Sequence, residues 1–588
     1  MDTSERFFPV EDVFKMQYLE QYVQSVVHYS SRYNNQLNYC YSPTNLLGKY
    51  EKYPSYGDFP EAYFLRSYGK WWRYSGSAQK EYRPQDFDLL NAEDFVTLEF
   101  GSAVVPREVF IYEVYNPGAV IRIWGRLSSD TKWHLLWEGF PQKCAATSRK
   151  FTPPLRKINY LINILRIEFN QSHLDYHTAI DGVLLCGYQP RTIIKFELIR
   201  RGLTQNKLAT SSNSATVGYW ETNRNCVTLN DKLAFDYINL LPNEIILKVF
   251  QCLDLKSLSR CAQVNRRWNK LAQDQTLYRN ISLKIYWYLV NEQTLDFFIN
   301  KIQNVKKLDL SWCNQYQISF NKRLDYDYHC KILSLLEESS RTITHLSMND
   351  NYFVDSDVLN KIVCCKELTE LRLHHTFNWI RWPKDQLTKL VTLDLSITNI
   401  IDEDLIQILM ANPNLEHLVL DLCEHLFMMN SVVETVTLFN KKLKTWSSWK
   451  TDSLTSDAVR KFSLCSNLEE LDLGWCLLDS VPGDSLAEIA NGCKRLKRLI
   501  LSQWRGATDQ SLMPIIISCK DLTQLDLIGI KNISSELCEK ALFRLPKLRL
   551  LDISFCDGVR QEEVAIWRQQ YPHITIQRSC EHTVTDYM

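Results

Sequence analysis

From about residue 305 onward the chain repeats one spacing of apolar residues, L-x-x-L-x-L-x-x-C/N/T. The period is near 26 residues, and a unit of that length cannot bury its own leucines, so neighbouring units must stack into one continuous core. The pattern predicts an array with one short parallel strand per unit on a concave side and a helix on a convex side. Ten units begin at Val305, Ile343, Leu368, Leu390, Leu415, Leu443, Leu468, Leu496, Leu522 and Leu548.

The ends of this array carry two further predictions. The first interval spans 38 residues, which leaves room for an insertion of about a dozen residues, and Ile574-x-Ile576 predicts a strand that covers the last unit. The period resembles that of the cysteine-containing leucine-rich repeats, which implies an α/β solenoid. Parallel strands lie about 4.8 Å apart, so ten of them give an inner surface on the order of 45 Å long. That length suits a protein partner better than a small molecule.

Strand alternation turns the leucines of each L-x-L inward and the residue between them outward. Those outward residues are Asp309, Ser347, Arg372, Asp394, Val419, Ser447, Asp472, Ile500, Asp526 and Asp552. Five of the ten are aspartate, which predicts an acidic concave face for a basic segment of a partner. The alternative is that Leu-Asp-Leu is simply a frequent form of this repeat, with the aspartates solvated or bound locally.

The sixth unit departs from the pattern. Trp446 and Ser448 replace two core leucines, and Trp449 is expected to point into the concavity. An exposed tryptophan on a binding face is a hot-spot candidate; the alternative is a distorted unit that buries its tryptophans. The candidate target-binding residues of the concave face are therefore Asp309, Arg372, Asp394, Trp449, Asp472, Asp526 and Asp552.

Residues 241–278 predict three short helices with more apolar surface than so small a unit can hide within itself. Pro242 and Glu244 suit the first turn of the first helix. Asp254 and Asn265 are the expected N-caps of the second and third. The segment offers neither metal ligands nor a plausible disulfide pair, so it is predicted to be a docking module.

This segment resembles the F-box. The resemblance implies binding to a Skp-type adaptor and, through the adaptor, to a cullin and a RING subunit. Some of the expected adaptor-binding residues must also hold the three helices together, and the sequence does not divide the two roles. These residues are Leu241, Pro242, Ile245, Ile246, Val249, Phe250, Leu253, Leu258 and Trp268.

The amino-terminal half is aromatic and rich in predicted strands. Stretches at 96–100, 109–114, 120–124, 133–137, 165–169 and 183–185 have strand character and are separated by turn signals such as Asn116-Pro117-Gly118. Many short strands with this spacing predict an antiparallel β-sandwich. The pattern resembles the discoidin or galactose-binding-like jelly rolls.

Composition narrows the function classes. The net charge is zero, so nothing attracts the chain globally to nucleic acid, and no apolar run approaches the ~20 residues that span a bilayer. No phosphate loop, Ser/His/Asp arrangement or activated cysteine is found, so no catalytic residue and no cofactor are predicted. His173 and His177 have H-x3-H spacing but no third ligand nearby, so no metal site is predicted.

The 18 cysteines predict buried thiols rather than disulfides. There is no C-x-x-C pair, and two groups of cysteines recur at fixed places in the repeat. Small buried thiols fit a reducing, intracellular compartment. The first group, at one repeat position, is Cys313, Cys423, Cys476 and Cys556, and the second, shortly before repeat strands, is Cys364, Cys465, Cys493 and Cys519.

The predicted order of domains is a lead segment at 1–50, a β-sandwich at 51–195, a linker at 196–235, an F-box at 236–285, and leucine-rich repeats with a terminal strand at 286–580. This order resembles the F-box and leucine-rich-repeat proteins, closest to their type-4, mitochondria-associated subgroup. The likeness lies in YNPGAVIRI at 115–123, the F-box, and LEELDLGWC at 468–476. Those proteins carry an apolar, basic amino-terminal extension, and this chain is expected to start after it.

The resemblance implies a non-catalytic substrate receptor of a Skp–cullin–F-box (SCF) ubiquitin ligase. The receptor would hold a target protein in the repeat concavity for ubiquitination and proteasomal degradation. The subgroup implies that it restrains mitophagy through turnover of outer-membrane mitophagy receptors. The expected location is the cytosol and/or nucleus, with association at the mitochondrial outer surface implied by the resemblance. The alternative function is a Skp-binding scaffold or adaptor without ligase activity.

Overall fold

The structure is a computed structural model that describes residues 16–32, 40–65, 91–174, 176–190, 238, 241–313, 322–376, 381–384, 386–451, 453–476 and 483–579. These residues form an antiparallel β-domain, then three short helices, then a solenoid of parallel strands. The order of folds agrees with the predicted one. The linker predicted at 196–235 falls outside the described residues.

The amino-terminal domain is an eight-stranded antiparallel sheet folded over a core. The strands pair in the order β2-β8-β1-β3-β7-β4-β5, with β6 against β3. The strands are β1 (Met16–Tyr29), β2 (Tyr63–Phe64), β3 (Asp94–Tyr115), β4 (Val120–Arg126), β5 (His134–Glu138), β6 (Arg149–Phe151), β7 (Ile162–Phe169) and β8 (Ala179–Pro190). Side chains of β4, β7 and β8, such as Ile123, Leu165 and Val183, meet in one buried cluster.

Strand β3 is 22 residues long and pairs with different neighbours along its two parts. Its first part pairs with β7 and its second part with β8. The sequence predicted two separate strands here, at 96–100 and 109–114. They form one strand because only a shift of register, between Glu99 and Val104, interrupts its pairing with β7.

The predicted boundary between a lead segment and the β-domain at residue 51 is wrong. Strand β1 lies between β8 and β3 in the sheet, pairing with β8 through its first half and with β3 through its second. Register shifts occur between Val23 and Ser25 and between Val26 and His28. Such bulges break the alternation of apolar and polar residues, which explains why the sequence shows no clear strand signal here.

Three helices follow: α1 (Asn243–Phe250), α2 (Leu255–Cys261) and α3 (Arg266–Ala272). The predicted caps are present, since Asp254 accepts a hydrogen bond from the backbone N–H of Ser257 at 2.6 Å and Asn265 accepts one from that of Trp268 at 2.8 Å. Pro242 immediately precedes α1 and serves as its N-cap residue. Its missing N–H costs nothing there.

The solenoid sheet has twelve parallel strands in chain order. Ten are the predicted repeat strands and one is the predicted terminal strand; the central residue of each is buried. The strands are β9 (Asn280–Ser282), β10 (Lys307–Asp309), β11 (His345–Ser347), β12 (Glu370–Arg372), β13 (Thr392–Asp394), β14 (His417–Val419), β15 (Thr445–Ser447), β16 (Glu470–Asp472), β17 (Arg498–Ile500), β18 (Gln524–Asp526), β19 (Leu550–Asp552) and β20 (Thr575–Gln577).

Helices lie between most of these strands. They are α4 (Glu292–Ile299), α5 (Lys322–Ser339), α6 (Ser356–Ile362), α7 (Asp402–Ala411), α8 (Met429–Phe439), α9 (Ser456–Lys461), α10 (Ser485–Gly492), α11 (Asp509–Ser518), α12 (Ser535–Arg544) and α13 (Gln561–Gln570). The long first interval contains α5, which at 18 residues is the longest described helix.

Strand β9 was missed by the sequence analysis. It lies within the predicted F-box, where Ile281 and Leu283 occupy the two core positions of L-x-L and are buried. Tyr278 holds the position of the first leucine, which hides the repeat pattern. The solenoid therefore begins directly after α3, without an intervening linker.

The repeat cysteines are core residues. Cys313, Cys423, Cys476 and Cys556 are all buried, and none of the sixteen described cysteines forms a disulfide. Burial raises the pKa of Cys423 and of Cys556 to about 12. The prediction that Cys364 is a buried thiol is wrong. Cys364 is exposed, and its neighbour Cys365 is buried instead.

The β-domain lies against the strand side of the solenoid. Phe95 and Arg166 pack on Trp312 in the first repeat, and at the other end Tyr115 accepts a hydrogen bond from Gln577 in the terminal strand. The β-domain thus spans the array from its first to its last unit.

Candidate functional site

Helix α1 presents a row of exposed apolar side chains. Leu241 precedes the helix, and Ile245 and Val249 follow one helical turn apart; their exposed fractions are 37%, 41% and 51%. Pro242 is exposed beside them. Aliphatic side chains are seldom left in water at this density without a partner. We call Leu241, Pro242, Ile245 and Val249 the α1 face.

The remaining predicted adaptor residues face inward. Ile246, Phe250 and Leu258 are each 2% exposed, so they form the core of the three helices. Leu253 and Trp268 are half-buried and pack against the same core. The structure thus divides the nine predicted residues into an exposed set and a packing set, which the sequence alone could not do.

Arg267 fixes the start of α1. Its guanidinium donates to the side-chain oxygen of Asn243 at 2.9 Å and to the backbone carbonyl of Leu241 at 2.5 Å. These bonds tie α3 to the first turn of α1 and hold Leu241 in place. Sequence reasoning missed this positioning role, because no local pattern relates residue 267 to residue 241. It also missed Ile238 and Val264, whose side chains are exposed within the same domain.

The α1 face is held at a fixed orientation to the solenoid. Phe250 and Leu271 belong to the same buried cluster as Ile281 of β9 and Leu308 of β10. Because one core runs through the three helices and the first repeats, a partner bound to α1 is positioned relative to the whole array.

The concave face differs from its prediction. All seven of its candidate target-binding residues are buried, so the prediction that these side chains are open to a target is wrong. They are Asp309, Arg372, Asp394, Trp449, Asp472, Asp526 and Asp552.

The aspartates of this face make local hydrogen bonds. The carboxylates of Asp309, Asp394 and Asp552 each accept a hydrogen bond from the backbone N–H two residues further along the chain, at 2.9, 3.0 and 3.0 Å. Asp472 and Asp526 accept the same bond at 3.1 Å. The aspartate closes the turn after each strand, so the alternative of locally bound aspartates is correct.

Arg372 is also used internally. Its guanidinium donates to Glu370 at 2.8 Å and lies 3.9 Å from Asp394 on the next strand. A buried guanidinium with two carboxylates around it is a structural ion pair.

The sixth unit buries its tryptophans, as its alternative interpretation expected. The indole of Trp446 replaces a core leucine and packs on Phe462, with ring centroids 4.9 Å apart. Trp449 forms a small separate cluster with Ile397 and Leu422, and Trp475 packs against it. The ammonium of Lys450 lies 4.8 Å from the ring centroid of Trp449 and 4.4 Å from that of Trp475.

The β-domain supplies many contacts over this face. Near the middle of the array the backbone carbonyl of Ser30 lies 3.1 Å from Nε2 of His374, and Arg32 forms an ion pair with Glu424 at 2.8 Å. At the far end, Tyr176 donates a hydrogen bond to Asp552. The concave surface is therefore largely an internal interface.

This interface raises the pKa of two buried carboxyl groups. Burial raises the pKa of Asp552 to about 6, against hydrogen bonds that lower it. Burial, and then repulsion by Asp552 on the next strand, raises the pKa of Asp526 well above its usual range. Neighbouring carboxylates in a dry site disfavour each other's ionisation.

One group of described side chains could hold a metal: His28, Asp350 and His375. His173 and His177 do not come together, since the first lies 2.9 Å from the carbonyl of Gln142 and the second 3.1 Å from Asp58. In the described part of the chain, no helix combines the length and apolarity needed to cross a bilayer.

The three helices and the solenoid define the class of protein. Residues 238–284 match the family model described as F-box-like. With the parallel-strand repeats that follow, the chain resembles the F-box and leucine-rich-repeat proteins, the resemblance that the sequence predicted.

Several known proteins are similar to this chain. The chain is 29% identical over 579 residues to F-box/LRR-repeat protein 4 of Bos taurus, covering 95% of this chain and 91% of that protein. Over 54 residues it is 41% identical to a probable E3 ubiquitin ligase complex SCF subunit, sconB, of Aspergillus niger, covering 9% of this chain and 8% of that protein. Among solved structures, a complex of Rad7 and Elc1 in yeast matches at 17% identity and a TM-score of 0.36, covering 55% of this chain and 98% of that chain.

Proposed function

We propose that the chain is a non-catalytic substrate receptor of an SCF-type ubiquitin ligase. The α1 face carries the proposal: an exposed aliphatic row within an F-box-like segment suits burial against a helical adaptor. The name of the Aspergillus niger relative, an SCF subunit, supports it.

The fixed orientation of the α1 face supports a receptor mechanism. An SCF receptor raises the effective concentration of a target lysine near the ubiquitin-charged enzyme, and no nucleophile of its own is needed. Such proximity works only if the adaptor side and the target side keep a constant geometry. The core that runs from Phe250 to Leu308 provides that constraint.

Adaptor binding is tested with paired alanine variants. We expect Ile245→Ala with Val249→Ala to weaken binding of a purified Skp-type adaptor at least tenfold, because two interface anchors are lost. The control is Ile517→Ala with Phe543→Ala, two exposed apolar residues on the solenoid helices, and this variant should bind like wild type. Unchanged adaptor affinity in the α1-face variant would overturn the proposal.

A second measurement separates a ligase receptor from a Skp-binding scaffold. The wild-type chain is purified with adaptor, cullin and RING subunit present together. A receptor recovers all three, whereas a scaffold binds the adaptor and excludes the cullin. The latter outcome would leave the chain as an adaptor protein without ligase function.

We place target recognition outside the seven buried residues of the concave face. Arg372 and Asp552 are committed to internal bonds, and contacts of the β-domain lie over the array. A target bound to the ligase complex should therefore protect amides of the solenoid helices or of the β-domain loops from hydrogen exchange. Protection confined to β10–β19 would contradict this placement.

The finer assignments rest on resemblance alone. We propose that the β-domain is a discoidin or galactose-binding-like sandwich, and that the protein acts at the mitochondrial outer surface to restrain mitophagy through turnover of outer-membrane receptors. Loss of the protein should then raise the level of those receptors. Unchanged receptor levels and no mitochondrial fraction of the protein would contradict the assignment.

A further inference from the structure

Two consecutive repeats place a carboxylate beside an imidazole. Asp350 and His375 occupy the same position after β11 and β12, whose centres Leu346 and Leu371 are paired. Equivalent positions on adjacent parallel strands lie about 4.8 Å apart, so the repeat geometry makes these two side chains neighbours. Nδ1 of His375 lies 2.8 Å from Oδ1 of Asp350.

A third side chain reaches them from the β-domain. His28 of β1 lies over the pair, with its ring centroid 5.9 Å from that of His375. One donor atom from each of the three residues lies within 4.8 Å of the other two. Nε2 of His28 is buried and has no hydrogen-bond partner among the described residues. A buried polar atom of this kind ordinarily has one.

We propose that His28, Asp350 and His375 bind one zinc ion. Two imidazole nitrogens and one carboxylate oxygen are donors that zinc accepts, and a three-residue set leaves the fourth tetrahedral position for water. Bonds of about 2.0–2.2 Å put tetrahedral ligand atoms about 3.3–3.5 Å apart. The ligand atoms, which lie within 4.8 Å of one another, must therefore approach by up to roughly an ångström, and we expect a rotation of the His28 side chain to bring them together.

The surroundings orient the proposed ligands. Trp312 donates its indole N–H to Oδ2 of Asp350 at 2.9 Å, which leaves Oδ1 directed at the histidines. Such an outer bond fixes a metal-ligating carboxylate. The rings of Phe95 and Tyr352 lie 4.9 and 4.8 Å from that of His28 and form an apolar wall.

Two positively charged side chains near the site are expected to lower its affinity for zinc. Arg166 and Lys284 lie 4.9 and 4.3 Å from the ring centroid of Trp312, next to the cluster. Glu168 pairs with Arg166 at 3.3 Å and offsets its charge. With one carboxylate in the set and Lys284 nearby, we expect weaker zinc binding than in a structural site built from thiolates.

The site would join two domains. His28 belongs to the β-domain, and Asp350 and His375 belong to the solenoid, more than 300 residues away in the chain. Zinc bound by all three would stabilise the docked β-domain, because it binds only the assembled arrangement. This role does not depend on the proposed ligase function.

The test uses the full chain, without a polyhistidine tag, titrated with zinc chloride alone. We expect wild type to bind one zinc per chain, with a higher melting temperature and slower hydrogen exchange along β1. In the His28→Gln and Asp350→Asn variants, zinc affinity should fall at least tenfold. Zinc should then no longer raise the melting temperature or slow hydrogen exchange along β1. The matched control is His374→Gln, a histidine at the same interface but outside the cluster, which should bind zinc like wild type.

Cobalt(II) gives a readout that does not need a variant to fold. Cobalt in place of zinc should show d–d bands of a nitrogen- and oxygen-liganded ion without a thiolate charge-transfer band. Three results would overturn the proposal: no stoichiometric zinc in wild type, wild-type binding by His28→Gln, or a thiolate band in the cobalt spectrum.

Discussion

The indole N–H of Trp287 donates a hydrogen bond to Oε1 of Glu168 at 2.8 Å, joining the turn after β9 to strand β7 of the β-domain. The guanidinium of Arg166 packs beside this bond, 3.8 Å from the Trp287 ring centroid and 3.6 Å from that of Phe95. All four side chains are buried. The β-domain and the solenoid thus share a desolvated polar junction.

Trp287→Phe should weaken this junction. The variant keeps an aromatic ring but leaves the buried Glu168 carboxylate without its indole donor, at a cost of about 1.5–3 kcal/mol for a charged acceptor. Urea unfolding measures the loss. Trp124→Phe is the matched control, because Trp124 is buried at the same junction and its indole N–H has no hydrogen-bond partner among the described residues. Equal losses in the two variants would contradict a special role for the Trp287 bond.

The packing of the Trp449 indole should require a glycine at position 474. A Cβ on residue 474 would lie 2.6 Å from Cδ1 of Trp449, so Gly474→Ala should cost about 1–3 kcal/mol of unfolding free energy through overpacking. Trp449→Ala alone should cost about 3 kcal/mol. In the double variant the alanine at 474 should add nothing, because its obstacle is gone. Additive losses in this cycle would show that the two residues do not touch.

Asp552→Asn should stabilise the protein at neutral pH. Its folded pKa of about 6 lies above the unfolded value near 3.9, so the folded chain binds more protons and its stability falls as pH rises between about 4 and 6. Asparagine keeps an acceptor for the Ser554 N–H without the charge. The gain should be on the order of 1–3 kcal/mol at pH 7 and vanish near pH 4.

The control for this pH effect is Asp521→Asn. The side chain of Asp521 is 41% exposed, and a hydrogen bond from Lys547 lowers its pKa. Its replacement should bring no gain at pH 7. A gain of equal size in both variants would show that net charge, rather than burial, sets the effect.

Cys252 should report adaptor binding. It is exposed just after α1, three residues beyond Val249, so a bound adaptor is expected to cover it. Its alkylation rate by iodoacetamide should fall at least tenfold when adaptor is added, whereas exposed Cys364 on the solenoid should react at the same rate. Protection of both cysteines, or of neither, would argue against docking at the α1 face.

Periodic features were predictable from the sequence. The L-x-x-L-x-L spacing located ten of the twelve solenoid strands, because each leucine faces a core that its neighbours must also fill, and Ile574-x-Ile576 located the terminal strand. The caps Asp254 and Asn265 were predictable for a similar reason, since a helix start needs a side-chain acceptor within three residues. Strand β9 escaped because Tyr278 replaces the leucine that would have marked it.

The concave face was not predictable, because its environment comes from a distant domain. Alternation correctly turned Asp309 and Asp472 away from the solenoid core. It could not show that the β-domain packs over that side, since contacts such as Arg32 with Glu424 join residues almost 400 positions apart. The division of the α1 residues likewise depends on where α3 packs, which a helical stripe alone does not reveal.

Contacts of the β-domain with Trp312 at one end and Gln577 at the other also bear on how the solenoid comes apart. A repeat array can unfold from its ends, since each unit contacts only its neighbours. Here the β-domain contacts the units at both ends, so neither end can unfold without losing its contacts with that domain. We therefore expect the solenoid to unfold cooperatively along its whole length, in a single transition.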